Sequence, residues 1–376
     1  MYNIDNLISE ILQDVIEIQK NLNSIPELAF NEYKTQNYIK NILNNVDIQT
    51  IKCADTGLIG VLNDGPTCIA IRADMDAIVS DGNIMHACGH DYHMSIAIGV
   101  AMTLKKMGFD RCVKFIFQPG EEGSGGAKKM IDEGVLEKPQ VQALIGLHVW
   151  PNLEVGKIAL NDGPIMASVD DFELTFIGKG GHAAMPQDVI NPIYPAIDTI
   201  QTINNIMLLR YDKFDPVHIS FSSITAGSLP NVVPSKCIVK GTVRTYNDQL
   251  REKIHNNINE IANLAARKYE CSCNFIYNYQ YPALINHKEL ANQFIEFAKN
   301  YLGNHNVEIA EPSFTAEDFS FYCKKVPSIY FRLGIKEEDI GTYPLHSSNF
   351  SASKKSLYYG IKTLVGFILH YYQEEI

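Results

Sequence analysis

Apolar residues recur at helical spacing through residues 4–20, and Ile25-Pro26-Glu27-Leu28 then breaks the rhythm. A second helical pattern covers 32–44. Strand-like runs follow near 48–52, 57–62 and 67–73. The pattern then predicts a helix at 93–107, a strand at 112–118, a turn from Gly120 to Gly126, a short helix at 127–133 and a strand from Val141 to Val149. Strands alternating with helices imply a largely parallel sheet covered on both faces.

The pattern changes near residue 168. Asp171 to Ile177 alternates like a half-buried strand. A long helix is expected over 191–210, strands over 216–225 and 236–246, a helix over 248–268 and a strand over 271–279. This β-α-β-β-α-β order is the ferredoxin-like one. From about 280 the α/β character resumes, with a helix at 288–302, a strand at 328–333 and a closing helix at 354–372. The expected architecture is a mainly parallel-sheet α/β domain, residues 1–168 and 280–376, interrupted by an inserted ferredoxin-like α+β domain at 169–279.

Composition narrows the class. The chain has 376 residues, 46% of them hydrophobic, enough for a full core, and a net charge of −11. No block of Lys or Arg stands out, which disfavours nucleic acid or an anionic membrane as a partner. Eight cysteines show no disulfide framework. Cys68, Cys112 and Cys237 lie inside apolar runs and read as small core residues, whereas Cys271-Ser272-Cys273 sits in a strand-like run with both thiols on one side. Acidic residues Asp5, Glu10, Asp14 and Glu17 interrupt the N-terminal pattern, so it is not a signal peptide. The run Leu357 to Tyr372 contains Lys362 and His370 and is too short to span a membrane. A cytoplasmic location is expected.

The candidate chemistry centres on His86-Ala87-Cys88-Gly89-His90-Asp91-Tyr92-His93, between a strand and a helix. Ligand sites in open α/β sheets form at such junctions. Cys88 and His90 flank a glycine, and thiolate and imidazole suit a borderline-soft divalent metal. A lone Cys-x-His is more often structural, so the reading depends on partners elsewhere. Gln118-Pro119-Gly120-Glu121-Glu122-Gly123 places adjacent carboxylates after a strand, where one can ligate a metal and the other take a proton from water. Taken alone, the pair is also read as a solvated acidic turn. His148 ends the next strand pattern, and His346 sits in a loop before the last helix. Cys88, His90, Glu122, His148 and His346 are too many ligands for one catalytic zinc, which takes three and keeps a position open. They suit two ions about 3.5–4 Å apart.

In the insert, Gly178-Lys179-Gly180-Gly181-His182 presents one polar side chain among glycines. Asn231 and Arg244 lie in or beside the next strands. An Arg in an apolar strand calls for an anion, either a structural carboxylate or a ligand.

Several segments together resemble the aminoacylase/hippurate-hydrolase branch of the two-metal amidohydrolases related to carboxypeptidase G2 and acetylornithine deacetylase. They are Ile25–Leu28, Arg72–Ala77, Met85–Asp91, Gln118–Gly123, Gly178–Pro186, Asn231–Pro234, Gly241–Arg244, Glu317–Phe319 and Leu345–Ser347, in the family's order. The resemblance implies a catalytic α/β domain and a lid domain often used for homodimerisation. It implies two divalent ions (Zn, Mn, Co or Ni) held by Cys88, His90, Glu122, His148 and His346. Glu121 would be general base and acid, and Asp76 would orient a ligand. His182, Asn231 and Arg244 would bind the substrate's carboxylate and the developing oxyanion. The implied reaction is hydrolysis of an N-acyl amino acid, chiefly N-acetyl, to a carboxylic acid and a free amino acid.

The run Ile25 to Gln36 is similar to the bacterial lysine-pathway deacetylases that act on N-acetyldiaminopimelate, and aminoacylase activity on other N-acyl residues stays open. Two departures stand out. Relatives carry a Pro-Ile-x-Glu segment where only Ile78 to Ile84 bridge Ala77 to Met85 here, and they have His where Asn23 stands. The shortened segment lies near the substrate pocket and leaves substrate preference open. A dipeptidase of the same family and a non-catalytic metal-dependent binding protein are the rival readings.

Overall fold

The computed structural model describes residues 3–123, 125–210 and 216–374. Ser124, within the turn expected from Gly120 to Gly126, lies outside them. The chain forms two compact units: Met1–Ile165 with Ile285–Glu311 and Asp318–Ile376, and Met166–Leu284 with Pro312–Glu317.

In the first unit, apolar Ile8, Ile11, Val15, Ile18 and Leu22 form the buried stripe of the helix Ile4–Asn23. Its N-terminus is capped by the Asn3 side chain, which accepts the Asn6 N–H at 3.3 Å. Among the described residues, an eight-stranded sheet runs from Gln49–Cys53 through Gly57–Leu62, Val113–Gln118, Thr67–Asp74, Gln140–Glu154, Ser328–Lys336 and Ile158–Leu160 to Val307–Ile309. The four central strands, from Val113–Gln118 to Ser328–Lys336, are mutually parallel, while antiparallel pairs lie towards both edges. Thr67–Asp74 is buried from its second residue onward. Such unbroken burial, apolar up to Arg72, is what a strand covered on both faces shows.

The parallel centre matches the expectation of a mainly parallel α/β sheet, and three local readings differ. Ile78–Ser80 and Asn83–Met85 pair as a β-hairpin, so the strand before the metal loop does not pass directly into the helix. The Asp81-Gly82 tip has φ of 46° and 79°, and two successive positive values are the requirement of a tight two-residue hairpin turn. His148 is also not at a strand end. Its strand continues to Glu154, because Ser328–Lys336 keeps pairing with it past the residues where the apolar run stops. The helix expected at 93–107 begins earlier, at His90.

The second unit carries a four-stranded antiparallel sheet in the order His218–Ala226, Lys236–Arg244, Asp170–Ile177, Ser272–Tyr279. With the helices Ile193–Arg210 and Asp248–Lys268 this is the ferredoxin-like arrangement. Its core is its own, built from residues such as Phe172, Leu174, Phe176, Val239, Ile254 and Ile258. Cys271 precedes the last strand, so only Cys273 of that pair lies in the ladder. Pro312–Glu317 returns to this unit, where Ser313 and Thr315 carbonyls accept the Ala167 N–H at 3.1 and 2.9 Å.

All eight cysteines are free thiols. Among the described residues no helix is long and apolar enough to cross a membrane.

Buried Asp170 anchors the second unit's sheet to its helix. It accepts Arg251 Nε at 2.7 Å and Nη2, Tyr277 Oη at 2.9 Å and the Gln280 N–H at 3.2 Å. Removing one partner of a buried pair leaves an uncompensated charge, at a cost of roughly 3–5 kcal/mol. Arg251→Met is therefore expected to destabilise this unit by that amount. Urea unfolding followed by hydrogen exchange of the 166–284 amides measures it; a change under 1 kcal/mol would show the pair to be energetically idle.

Candidate active site

Three loops meet in the first unit. The first is Cys88-Gly89-His90. Gly89 has φ of 82°, and a Cβ there would fall 2.3 Å from Val149 Cγ2, so only glycine lets the loop pass this close and turn into the helix at His90. The second is the Glu121-Glu122 turn, which follows Val113–Gln118. The third carries His346.

Cys88, His90 and His148 bring one ligand atom each to within 4.8 Å of one another, and so do Cys88, Glu122 and His346. Cys88 belongs to both groups. Its Sγ is 3.3 Å from His148 Nε2, and His346 Nε2 is 3.0 Å from Glu122 Oε1. Ligands about 2.0–2.3 Å from one tetrahedral ion lie roughly 3.3–3.7 Å apart, which is close to these spacings.

Hydrogen bonding selects which imidazole nitrogens are available. A carbonyl can only accept. His90 Nδ1 therefore donates to the Asp76 carbonyl at 2.8 Å and His148 Nδ1 to the Val149 carbonyl at 2.7 Å. In both rings this leaves Nε2 facing the cluster, where it can serve as a ligand once deprotonated. His90 Nε2 is buried and has no hydrogen-bond partner. His93 also lies within ligand distance of Asp74 and His90, but both its nitrogens are committed. Nδ1 donates to Asp74 at 2.6 Å and Nε2 accepts the Val149 N–H at 3.0 Å. His93 is thus a strut.

Asp76 holds the acidic turn in place. Its Oδ1 accepts the Glu121 N–H at 3.1 Å and its Oδ2 the Glu122 N–H at 2.9 Å. The expectation that Asp76 orients a ligand takes a specific form: its carbonyl fixes His90 and its carboxylate fixes the two glutamates. Buried Glu32 assists by accepting the Gly120 N–H at 2.9 Å.

The charges do not balance within the protein. Burial, then Glu122 and Glu121, push the Cys88 thiol well above its ordinary range. Burial works against charging His90, yet Asp74 and Asp76 overcome it and raise the ring to about 10. Burial takes His148 down to about 3. Burial also opposes ionisation of Glu122, but the His346 hydrogen bond and the His90 charge outweigh it and hold the carboxyl at about 2. Divalent cations among these groups would reverse the Cys88 shift and occupy the orphaned His90 Nε2. The donor set and its geometry fit such ions.

A buried network behind the cluster was not singled out in the sequence as part of the site. Arg72 Nη1 donates to Asp74 at 2.6 Å, Nη2 to Asp318 at 2.9 Å and Nε to Gln118 at 2.8 Å, and Gln118 Nε2 also bonds Asp318. The available signal was Arg72 within an apolar run, since a buried guanidinium demands carboxylates.

The second unit holds the other three candidates. His182 pairs with Val232 in a two-stranded ladder, and the adjacent Ala183 N–H donates to the Asn231 carbonyl at 3.0 Å, so His182 and Asn231 are neighbours on an exposed surface. Arg244 ends its strand opposite His218. Among the described residues no carboxylate forms an ion pair with it, and burial lowers its pKa.

Residues 70–370 match the model of peptidase family M20/M25/M40. The chain belongs to that family. An N-acetyldiaminopimelate deacetylase of Lactococcus lactis subsp. cremoris is 30% identical, over 94% of this chain and 98% of its own length. A thermostable carboxypeptidase of Saccharolobus solfataricus is 31% identical over 95% of each. The crystal structure of the Bacillus subtilis YXEP protein, described as a dinuclear metal binding peptidase, aligns with a TM-score of 0.81 and 29% identity over 96% of this chain and 99% of that one. This M20-family protein is a metal-dependent hydrolase of amide bonds.

Partners that orient metal ligands typically contribute 10–100-fold to metal affinity or activity. Asp76→Ala in the M20 hydrolase is expected to lower metal content and turnover within that range while the fold persists. Metal analysis beside circular dichroism checks this; full metal content and full turnover would remove Asp76 from the role.

Proposed function

We propose that this hydrolase cleaves N-acyl, chiefly N-acetyl, amino acids with two divalent ions. The observation that carries the reading is that Cys88 belongs both to the group with His90 and His148 and to the group with Glu122 and His346. Cys88, His90 and His148 would hold one ion, and Cys88, Glu122 and His346 the other, with the thiolate shared. Zn suits the thiolate, and Mn, Co or Ni also suit the imidazole and carboxylate set. Bound here, the ions supply Lewis acidity that acidifies a water and polarises the amide carbonyl.

The chain's own residues do the rest. Glu121, buried and fixed by its backbone N–H to Asp76, takes the proton of the attacking water and then delivers it to the leaving nitrogen. Arg244, which forms no ion pair among the described residues although Asp171 and Asp170 act on it at longer range, holds the substrate carboxylate with help from Asn231. His182 stabilises the oxyanion as charge develops on the former carbonyl oxygen.

Among substrates, N-acetyldiaminopimelate comes first, because a relative covered along nearly its whole length carries that activity in its name. A dipeptidase reading is the second, supported by the carboxypeptidase and peptidase names of other relatives. The ferredoxin-like unit would serve as lid and homodimer surface. Its edge strand His218–Ala226 is unpaired on one side in the described residues and leaves Ile224 exposed. The free thiols suit a cytoplasmic location.

The chelated protein, reloaded with Zn, Mn, Co or Ni, is expected to release amine from N-acetyldiaminopimelate, N-acetylcysteine, N-acetylmethionine or hippurate. Activity on acetyl-diaminopimelate alone identifies a biosynthetic deacetylase, and broad activity an aminoacylase. Cleavage of dipeptides only would replace the deacylase with a dipeptidase, and binding without turnover would replace it with a binding protein. Glu121→Gln is expected to lower kcat by roughly 10²–10⁴ with metal content unchanged; wild-type turnover in that variant would disprove the base assignment. Light scattering is expected to give twice the chain mass, and a monomer at assay concentration would reject the dimer.

A further inference from the structure

The two groups that share Cys88 differ in how they are built. Cys88, His90 and His148 are all buried, with both histidines locked by backbone carbonyls. In the other group the His346 side chain is 55% exposed, against 16% for Glu122. His346 also has a φ of 67°, in the left-handed region that a non-glycine residue occupies only when its surroundings impose it.

Two hydrogen bonds impose it. The His346 N–H donates to the Ala87 carbonyl at 2.9 Å, which ties it to the Cys88 loop. The His346 carbonyl accepts the buried Ser80 hydroxyl at 2.9 Å. Ser80 ends the first strand of the hairpin Ile78–Met85. A second bond joins the same two loops, because Ser348 Oγ donates to the Asp81 carboxylate at the hairpin tip. The hairpin Ile78–Met85 is thus the brace that keeps His346 turned towards Glu122.

We propose that the position formed by Cys88, Glu122 and His346 is the weaker, exchangeable metal position, and that Ser80 and Asp81 set its affinity as positioning residues. This rests on the two-ion reading above. The physical reason is preorganisation. An exposed side chain on a strained backbone loses affinity as soon as the backbone relaxes, whereas the buried group has no comparable freedom. Among the described residues, the side-chain hydrogen bonds of Ser80 and Asp81 towards the site both run to the His346 loop, so losing them falls first on the ion that His346 would hold.

The test is a cobalt(II) titration of the full, chelator-stripped chain without oxygen, followed by calorimetry and by the visible absorption of cobalt. The wild type is expected to bind two ions in separate steps, the first tighter. His346→Ala marks the outer position by deleting the second step. Ser80→Ala is expected to weaken the second step about tenfold and leave the first unchanged, in the range of residues that orient ligands. Ser80→Thr keeps a hydroxyl and is expected to restore the second step. Melting of the stripped proteins checks that the variants fold equally well; if Ser80→Ala does not fold, Asp81→Asn carries the same expectation through Ser348. Two ions with a second step indifferent to Ser80→Ala or Asp81→Asn, or both steps weakened in parallel, would overturn the role of the hairpin alone. Fewer than two ions in the wild type would overturn the two-ion reading itself and this proposal with it.

Discussion

Asp76 is the joint on which the candidate site depends. One residue accepts three N–H groups: its carbonyl takes His90 Nδ1–H, and its two carboxylate oxygens take the successive backbone N–H groups of Glu121 and Glu122. Two adjacent carboxylates in one turn repel each other, and a third carboxylate beneath them would add to the repulsion if it met their side chains. It meets their backbone instead. The turn is held by charge-assisted hydrogen bonds, and the glutamate side chains are left to face whatever lies between the loops.

The same economy of donors and acceptors sorts the histidines. His90, His93 and His148 are all buried and crowd one another, with ring centroids 4.7–6.2 Å apart. Distance alone would make each a ligand. His93 has both nitrogens occupied, by Asp74 and by the Val149 N–H, while His90 and His148 each spend only Nδ1 on a carbonyl. Asp74 in turn is committed to Arg72 and His93, and burial of its charge is offset by His90, Arg72 and His93, which hold it well below the usual carboxylate range. The charged network behind the site is therefore closed, and the open valences point at the space shared by Cys88.

The two units differ in what their folds permit. A parallel sheet places loops from neighbouring strands at one edge, where ligands from distant parts of the chain can meet. The ferredoxin-like unit has a core of its own and a buried Asp170–Arg251 pair that ties its sheet to its helix. It presents His182 and Asn231 on an exposed surface.

By itself the sequence determined the kinds of element and their order, because hydrophobic period follows directly from backbone geometry. It also marked Cys88, His90, Glu121, Glu122, His148 and His346 as candidates, the paired carboxylates because they repel each other in one turn and the set as a whole through its resemblance to a two-metal family. Local pattern does not contain hydrogen-bond partners from other strands. Only the tertiary structure decided that His93 is a strut while His148 keeps Nε2 towards Cys88, that Asp76 works through the backbone of a turn 45 residues away, and that Arg72 closes a network with Asp318. Strand length was likewise decided by the partner: Ser328–Lys336 extends the strand of His148 beyond its apolar run. The short segment Ile78–Met85 read as a deletion. Its meaning as a brace for His346 exists only in three dimensions, since the two loops are 266 residues apart and meet through one serine hydroxyl and one aspartate.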